Sequence, residues 1–555
     1  MIAVYPQYLS LSKLLDGRLF RIPEYQRAYS WTSKERHDLF EDIKKIHSKG
    51  ADAGHFMDAV VCLRRKKLTL GTDEFHSVEV VDGQQRLTTL IILLNTIKLA
   101  LDKQDKSEVK LAEELEELLV KEGGELLLLQ TNHDSSHHFA NFLREGTASL
   151  SNIAKTIADR EILKAIEDCQ EFISHWMGAK LIELATLLKN RLFFLLHEVE
   201  DEKTVYTVFG VLNSRGLDVS QLDLLKSLLM GNAFELTNIN NREIIEDLHV
   251  TWRDIYSVIG LRQGLSTESL RFAATLRSGK APSRPLSEED SVKMLQSTAG
   301  TAKQIRDVAS WLLQVTQACD TVNANPRLNA VTRILQARLL AVAIYLRNDI
   351  KDGQRSELLA RWEKVSFRIF GMLGNNARTM VGEYVRLSWR VVNENLPVQS
   401  IKEAIGELGQ NYTINDAVKT LRSDNCYTGW TDELRYFMSR YEEHLAKKQK
   451  LNFSNEQWEK IWMVSPSESI EHIWAQSKAT EESKHRLGNL VLLPPHLNST
   501  LQNDSPKNKA SAYRKTGLLI AGEVADIIEA RGWKPKSIVE RENALLKWAA
   551  IEWAD

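Results

Sequence analysis

VEVVDGQQRLTTLIILLNTIKLAL, residues 78–101, changes its hydrophobic period once, and the change decides the fold. Val78, Val80 and Val81 belong to a β-branched run that ends at Asp82, where Gly83 permits a tight turn. From Leu87 the apolar spacing becomes helical and stays so through Leu101. A strand, a glycine turn and a helix start leave free backbone N–H groups and a positive dipole end beside Gln84, Gln85 and Arg86, which makes an anion site. The stretch has neither the GxxxxGK[ST] pattern of a Walker A loop nor a Rossmann fingerprint. A plainer alternative makes Asp82 a helix cap and Arg86 a surface residue.

Elements on either side support an α+β N-terminal region. Leu9–Leu15 reads as a short helix before a Gly17 turn, and RLFFLLHEV (191–199) as a strand completing the sheet, with His197 a core histidine. Residues 108–186 read as helices. In RIPEYQRAYSW (21–31), Arg21, Gln26 and Arg27 alternate with Tyr25, Tyr29 and Trp31, a mixture that can grip a phosphate and stack on a base. An aromatic turn with solvated arginines is the bland alternative. His133, His137 and His138 invite a metal reading, but the segment has loop composition and no carboxylate beyond Asp134.

The 555 residues, 43% hydrophobic, suffice for two to four domains with real cores. A net charge of -2 and a pI near 6.7 show no global commitment to nucleic acid, so DNA binding has to rest on local patches. Cys62, Cys169, Cys319 and Cys426 are scattered without CxxC spacing, which fits a reducing cytoplasm better than a zinc ribbon or disulfide framework. The first twenty residues lack the apolar core of a signal peptide, and no membrane span is expected.

Residues 231–445 read as a helical region that positions DNA, with loops near Ser278–Leu286, Asp352–Gly353 and Leu408–Asn411. Arg271, Arg277, Lys280 and Arg284 form one basic set; Arg378, Arg386 and Arg390, around Tyr384 and Trp389, form another. Either set can track a phosphate backbone or simply be a solvated face.

Residues 446–555 carry the chemistry. Glu471 and His472 stand side by side, Asn489 opens the apolar run Leu490–Leu493, and Asn498 follows nine residues later. Phosphodiester hydrolysis needs an activated water, charge stabilisation on the phosphate and help for the leaving oxygen. His472 is the candidate general base, and Glu471 a hard oxygen ligand able to share its site at a frayed strand end. Asn489 would fix the loop that carries the histidine. Asn498 would be a second oxygen ligand, suiting Mg2+ (or Mn2+) with retained waters. Asn503 and Lys507 are weaker candidates, for a supporting bond and a phosphate contact. From Ser477 to Gly517 seven cations face three acids, which points to a polyanionic partner. Taken singly, the plainer reading wins for each of these residues: Glu471 pairs with a nearby cation, His472 caps a strand and the asparagines are turn residues; the set and its spacing favour a nuclease. Two amphipathic helices, near Ile520–Ala530 and Ala544–Trp553, close the chain.

Several stretches carry a family resemblance. IPEYQRAYSW, HFMDAVV (55–61), VDGQQRLTTL and FGVLNSRGLDVSQLDLLKS (209–227) look like successive signatures of the GmrS-type domain. The last supplies Asn213, Arg215, Gly216, Asp223 and Lys226, with Val219 where the family has leucine. IEHIWAQS and HRLGNLVLL, followed by the asparagines and Lys509 to Tyr513, resemble the GmrD-type branch of the HNH, or ββα-metal, nucleases. Asp58 stands where the first family usually has glycine, and Ala475 where the second commonly has proline. The resemblance implies a ParB/sulfiredoxin-like α+β domain over 1–230, with Gln26, Arg27, Asp82, Gly83, Gln84, Gln85 and Arg86 binding a nucleoside triphosphate, GTP or ATP. Over 446–555 it implies an HNH domain within a helical setting. The activity implied is a type IV restriction endonuclease of a bacterial cytoplasm that cuts modified, phage-type double-stranded DNA under nucleotide control, with a homodimer suited to cutting both strands. Two rivals follow: a nucleotide-dependent DNA-binding regulator whose nuclease site is inactive, and a stand-alone NTPase serving a separate effector.

Overall fold

The structure is a computed structural model. It describes residues 6–555 apart from 24–25, 51–53, 71–72, 103, 122–125, 132–135, 148–156, 202–203, 206–207, 209–219, 237–240, 261, 332, 424, 452–460, 463–464, 495–496, 499–500 and 502. Two compact units result. One comprises Met1–Ala274 with Ser287–Gln317, the other Thr275–Leu286 with Ala318–Asp555.

The first unit is built on a six-stranded mixed sheet. Its strands are β1 (Gln7–Ser10), β2 (Arg18–Ile22), β3 (His55–Leu70), β4 (Asp73–Asp82), β7 (Leu129–Thr131) and β8 (Leu192–Val199); β5 (Val120–Lys121) and β6 (Leu126–Leu127) pair separately. The order is β1-β8-β3-β4-β2-β7, with β3 antiparallel to β4 and parallel to β8. Among the described residues, the helices that precede β8 are α1 (Leu11–Leu15), α2 (Ser33–Ser48), α3 (Gln84–Ala100), α4 (Lys106–Leu119), α5 (Ser136–Glu145), α6 (Ile157–Ile173) and α7 (Ala179–Arg191). The opening stretch becomes β4, a turn and α3, as its period predicts. Val78 and Val80 are fully buried, and α3 is apolar on nearly every side because α4, α6 and α7 all pack on it.

Gly83 sits at φ 90°, where a Cβ would also approach Val60 Cγ2 to 3.1 Å, so the turn needs glycine. The helix starts at Gln84, where its free N–H groups were placed, and its apolar period becomes legible only from Leu87 because Gln84 and Gln85 are polar although buried and bonded. The expected strand at 191–199 is β8, and His197 is buried in it. His138 is likewise buried, within 4.0 Å of Asp159, while His133 lies outside the described residues.

The second unit is helical around Trp362, Trp553, Tyr384 and Tyr436, all fully buried. In the second basic set, Arg386 pairs with Glu383 and Arg390 with Glu394 on one helix face, exposed pairs of little energetic weight. The helix Asp352–Ser366 begins where a loop was expected, and at its start Gln354 Oε1 accepts from the Lys351 backbone N–H at 3.3 Å. A two-stranded hairpin, β9 (Ile470–His472) with β10 (Leu490–Leu492), is set among the helices Thr431–Gln449, Pro506–Lys515, Leu519–Arg531 and Pro535–Glu552. The architecture is α+β. Among the described residues no helix is long and apolar enough to cross a membrane.

Candidate functional site

Antiparallel register places Leu490 opposite His472 and Val491 opposite Glu471. Both strands are buried, so their short apolar run is a core hairpin rather than a surface one. Its underside is braced by Arg541, which donates to the carbonyl oxygens of Leu487, Gly488 and Leu490 at 3.4, 3.0 and 2.7 Å. Gly488 packs so closely on that helix that a Cβ would lie 2.0 Å from the Ile538 carbonyl oxygen.

Asn489 is fully buried and spends its side chain on the loop that follows the histidine. Oδ1 accepts from Trp474 N at 2.9 Å, and Nδ2 donates to the carbonyls of Trp474 and Lys484 at 3.1 and 3.0 Å. Asn498 Nδ2 donates to the carbonyls of Glu468 and Ile470, both at 3.0 Å, which brings its carboxamide to the start of β9. Asn503 accepts from Ser477 Oγ and, through its carbonyl, from Lys478 Nζ.

β9 pairs regularly with β10 through His472, so the frayed strand end expected of Glu471 and His472 is not there. Glu471 meets the buried Lys509 ammonium, which also donates to the His472 carbonyl at 2.9 Å, and the Tyr513 phenol faces the same carboxyl. Burial raises the Glu471 pKa, with Lys509 opposing. His472 instead meets His485, whose Nδ1 lies 3.0 Å from His472 Nε2, and Gln476, whose Nε2 lies 3.3 Å from His472 Nδ1. Burial, then the neighbouring His485, Lys509 and Lys484, hold the His472 pKa down to about 3, so the imidazole is neutral at pH 7.

Of the seven local cations, Lys478, Lys484, Arg486, Lys509 and Arg514 are engaged by neighbours. Among the described residues Lys507 and Lys515 make no ion pair, and both are exposed.

In the first unit the glutamines act as stitches. Gln26 Nε2 donates to the Val81 carbonyl, Gln84 Nε2 to that of Arg27, and Gln85 Nε2 to that of Ala28 while its Oε1 accepts from Ser30 N at 2.7 Å. The 26–30 loop and the turn after β4 are therefore one built piece. Its charged groups are Arg27, Asp82 and Arg86. Arg86 pairs with Asp58 at 2.5 Å and lies 5.7 Å from the Trp31 ring centre. Burial, reinforced by Asp58 and Asp223, lifts the Asp82 pKa to about 6. Arg27 lies 3.9 Å from Asp223, which accepts from Tyr256. Lys226 is fully desolvated beside them, its pKa brought down to about 7. Asn213, Arg215 and Tyr25 lie outside the described residues.

Sequence reasoning gave no role to His485, Gln476, Tyr427 or Tyr256. The only signal for His485 was its place in the HRLGNL run, four residues before Asn489.

Two family models match the chain. One, the N-terminal domain of the GmrSD restriction endonuclease, covers residues 11–230; the other, the C-terminal domain of GmrSD restriction endonucleases, covers 413–548. Fold and matched domains together define a restriction endonuclease, an enzyme that acts on DNA. The chain belongs to the GmrSD restriction endonuclease family, of the type IV restriction class. No curated protein gave a match.

Proposed function

We propose that this chain is a divalent-metal-dependent HNH-type endonuclease that hydrolyses phosphodiester bonds in modified double-stranded DNA under the control of a nucleoside triphosphate. The supporting observation is the neutral His472 at the end of a buried hairpin, with the loop beyond it pinned by Asn489. A neutral imidazole can take the proton of an attacking water.

The residues present fit a hard cation in type. Glu471 and Asn498 offer a carboxylate and a carboxamide oxygen near the start of β9, and the Glu471 carboxyl already draws a cationic partner. Among the described residues there is no cluster of three or more His, Cys, Asp or Glu side chains, so a bound ion would keep several waters. When bound, Mg2+ or Mn2+ would stabilise charge on the scissile phosphate and the leaving oxygen. Asn503 and Lys507 would support the loop and contact phosphate. Arg27, Asp82 and Arg86 would bind and hydrolyse GTP or ATP, a homodimer would cut both strands, and the setting would be a bacterial cytoplasm.

A second reading has one observation in its favour. Lys509 already neutralises Glu471, as expected of a DNA-binding regulator whose nuclease site is inactive. Digestion of a panel of modified and plain DNAs with Mg2+ or Mn2+, with and without GTP or ATP, separates the two. Cleavage that is lost in His472→Ala supports the nuclease. Equal survival of DNA with wild type and variant under every condition supports the regulator.

A further inference from the structure

His485 has no part in the scheme above, yet its side chain makes the shortest hydrogen-bond contact to the His472 ring, Nδ1 to Nε2 at 3.0 Å. On the opposite edge Gln476 Nε2 stands 3.3 Å from Nδ1. An amide nitrogen donates and does not accept, so His472 Nδ1 is the acceptor there. A ring that accepts at Nδ1 carries its proton on Nε2 and donates it to His485 Nδ1, and His485, accepting there, carries its own proton on Nε2.

The arrangement is held from outside. Tyr427 stacks on His485, ring centroids 5.3 Å apart and planes 9° apart, and stands edge-on to His472 at 4.7 Å. The His485 carbonyl accepts from Cys426 N at 3.0 Å.

We propose that His485 is a positioning residue for His472: by accepting the Nε2 proton it fixes the tautomer whose basic lone pair lies on Nδ1. This rests on the reading of His472 as the base. The Gln476 contact is long and readily gives way to water. In the step, the water O–H bond breaks, its proton goes to His472 Nδ1, and its electron pair forms the new P–O bond. The bond to the leaving oxygen breaks, and that oxygen keeps the pair. The resulting imidazolium still donates through Nε2 to His485, and the proton then passes to solvent. Partners that orient a metal-ligating histidine are typically worth roughly ten- to hundredfold, and a similar factor is expected for a base oriented in the same way.

Two variants divide a positioning role from a packing one. His485→Asn places Oδ1 where the ring has Nδ1 and keeps an acceptor; His485→Phe keeps the stack on Tyr427 and has none. The full chain, with 15N-labelled histidine, is examined by long-range proton–nitrogen NMR, His472 being assigned by its loss in His472→Ala. The expected result is an Nε2-protonated His472 in wild type and His485→Asn, and a tautomer mixture in His485→Phe. In DNA cleavage with Mn2+, kcat falls roughly ten- to hundredfold in His485→Phe with KM for DNA unchanged, and recovers to within about fivefold in His485→Asn. Nδ1–H in wild type, an unchanged tautomer in His485→Phe, or equal losses of kcat in both variants overturns the proposal. If the tautomers behave as expected but wild type cuts no DNA, the reading of His472 as a base falls, and its positioning partner with it.

Discussion

Asn489 and Trp474, fifteen residues apart, close on each other in both directions: Oδ1 accepts the Trp474 N–H at 2.9 Å while Nδ2 donates to the Trp474 carbonyl at 3.1 Å. A third bond, to the Lys484 carbonyl at 3.0 Å, ties in the segment that carries His485. One carboxamide thus holds the chain just after His472 and just before His485. Asn489→Ala leaves a part-buried N–H and two part-buried carbonyls without their partner, at about 1–3 kcal/mol for a group fully orphaned from water. Denaturant unfolding is expected to lose about 2–4 kcal/mol. Asn489→Asp should not rescue it, since a carboxylate repels the two carbonyls. A variant with wild-type stability would show that the loop is held by something else.

Arg86 and Asp58 give a prediction about the nucleotide. The family's usual glycine would leave the Arg86 guanidinium without this carboxylate, whereas here the two meet at 2.5 Å. An arginine already paired has less to offer a phosphate. Asp58→Gly is therefore expected to tighten binding of fluorescent GTP or ATP analogues about tenfold, a gain of about 1.4 kcal/mol. Arg86→Ala should abolish it. Unchanged or weaker affinity in Asp58→Gly would mean that the pair is not in the nucleotide's way.

Legibility in the sequence followed periodicity. The strand–turn–helix at 78–101, the strand at 191–199 and the hairpin strands flanking Glu471 and Asn489 were readable because apolar spacing reports burial directly. Partnership was not. Gln26, Gln84 and Gln85 read as ligand-facing groups because polar residues beside a glycine turn suggest a site, yet they stitch together two segments 55 to 57 residues apart in the chain. His485 was invisible as a partner of His472 for the same reason, since a contact between side chains thirteen residues apart leaves no period. The cation count over 477–517 also overstated the free charge, because Arg486 and Arg514 find acids on helices further along the chain.

Glu442 predicts a pH dependence. Its buried carboxylate accepts from the Leu519 and Ile520 N–H groups at the start of a helix, and burial, only partly offset by those bonds, lifts its pKa from 4.5 to about 7. The folded state then holds a proton that the unfolded state releases, so its contribution is complete below pH 4.5 and is lost as pH rises through 7. The whole shift corresponds to roughly 3 kcal/mol. Glu442→Gln should flatten this part of the stability profile between pH 5 and 8. Parallel profiles for variant and wild type would show that Glu442 titrates normally.

Lys509 bears on the choice between a working nuclease and an inactive one. Its ammonium is wholly buried and bonded to Glu471 and to the His472 carbonyl, so removing it strands a carboxylate that burial already disfavours. Breaking a buried pair from one side costs about 3–5 kcal/mol, far more than the pair itself is worth. In EDTA, Lys509→Met is expected to unfold correspondingly earlier, and Glu471→Gln combined with it should recover part of the loss. Added Mn2+ offers the stranded carboxylate a replacement cation, so it should raise the thermal midpoint of Lys509→Met more than that of wild type, and not that of the double variant. If Mn2+ stabilises all three proteins equally, or none, Glu471 is not a metal ligand, and its buried charge serves only to anchor the helix Pro506–Lys515 against the hairpin.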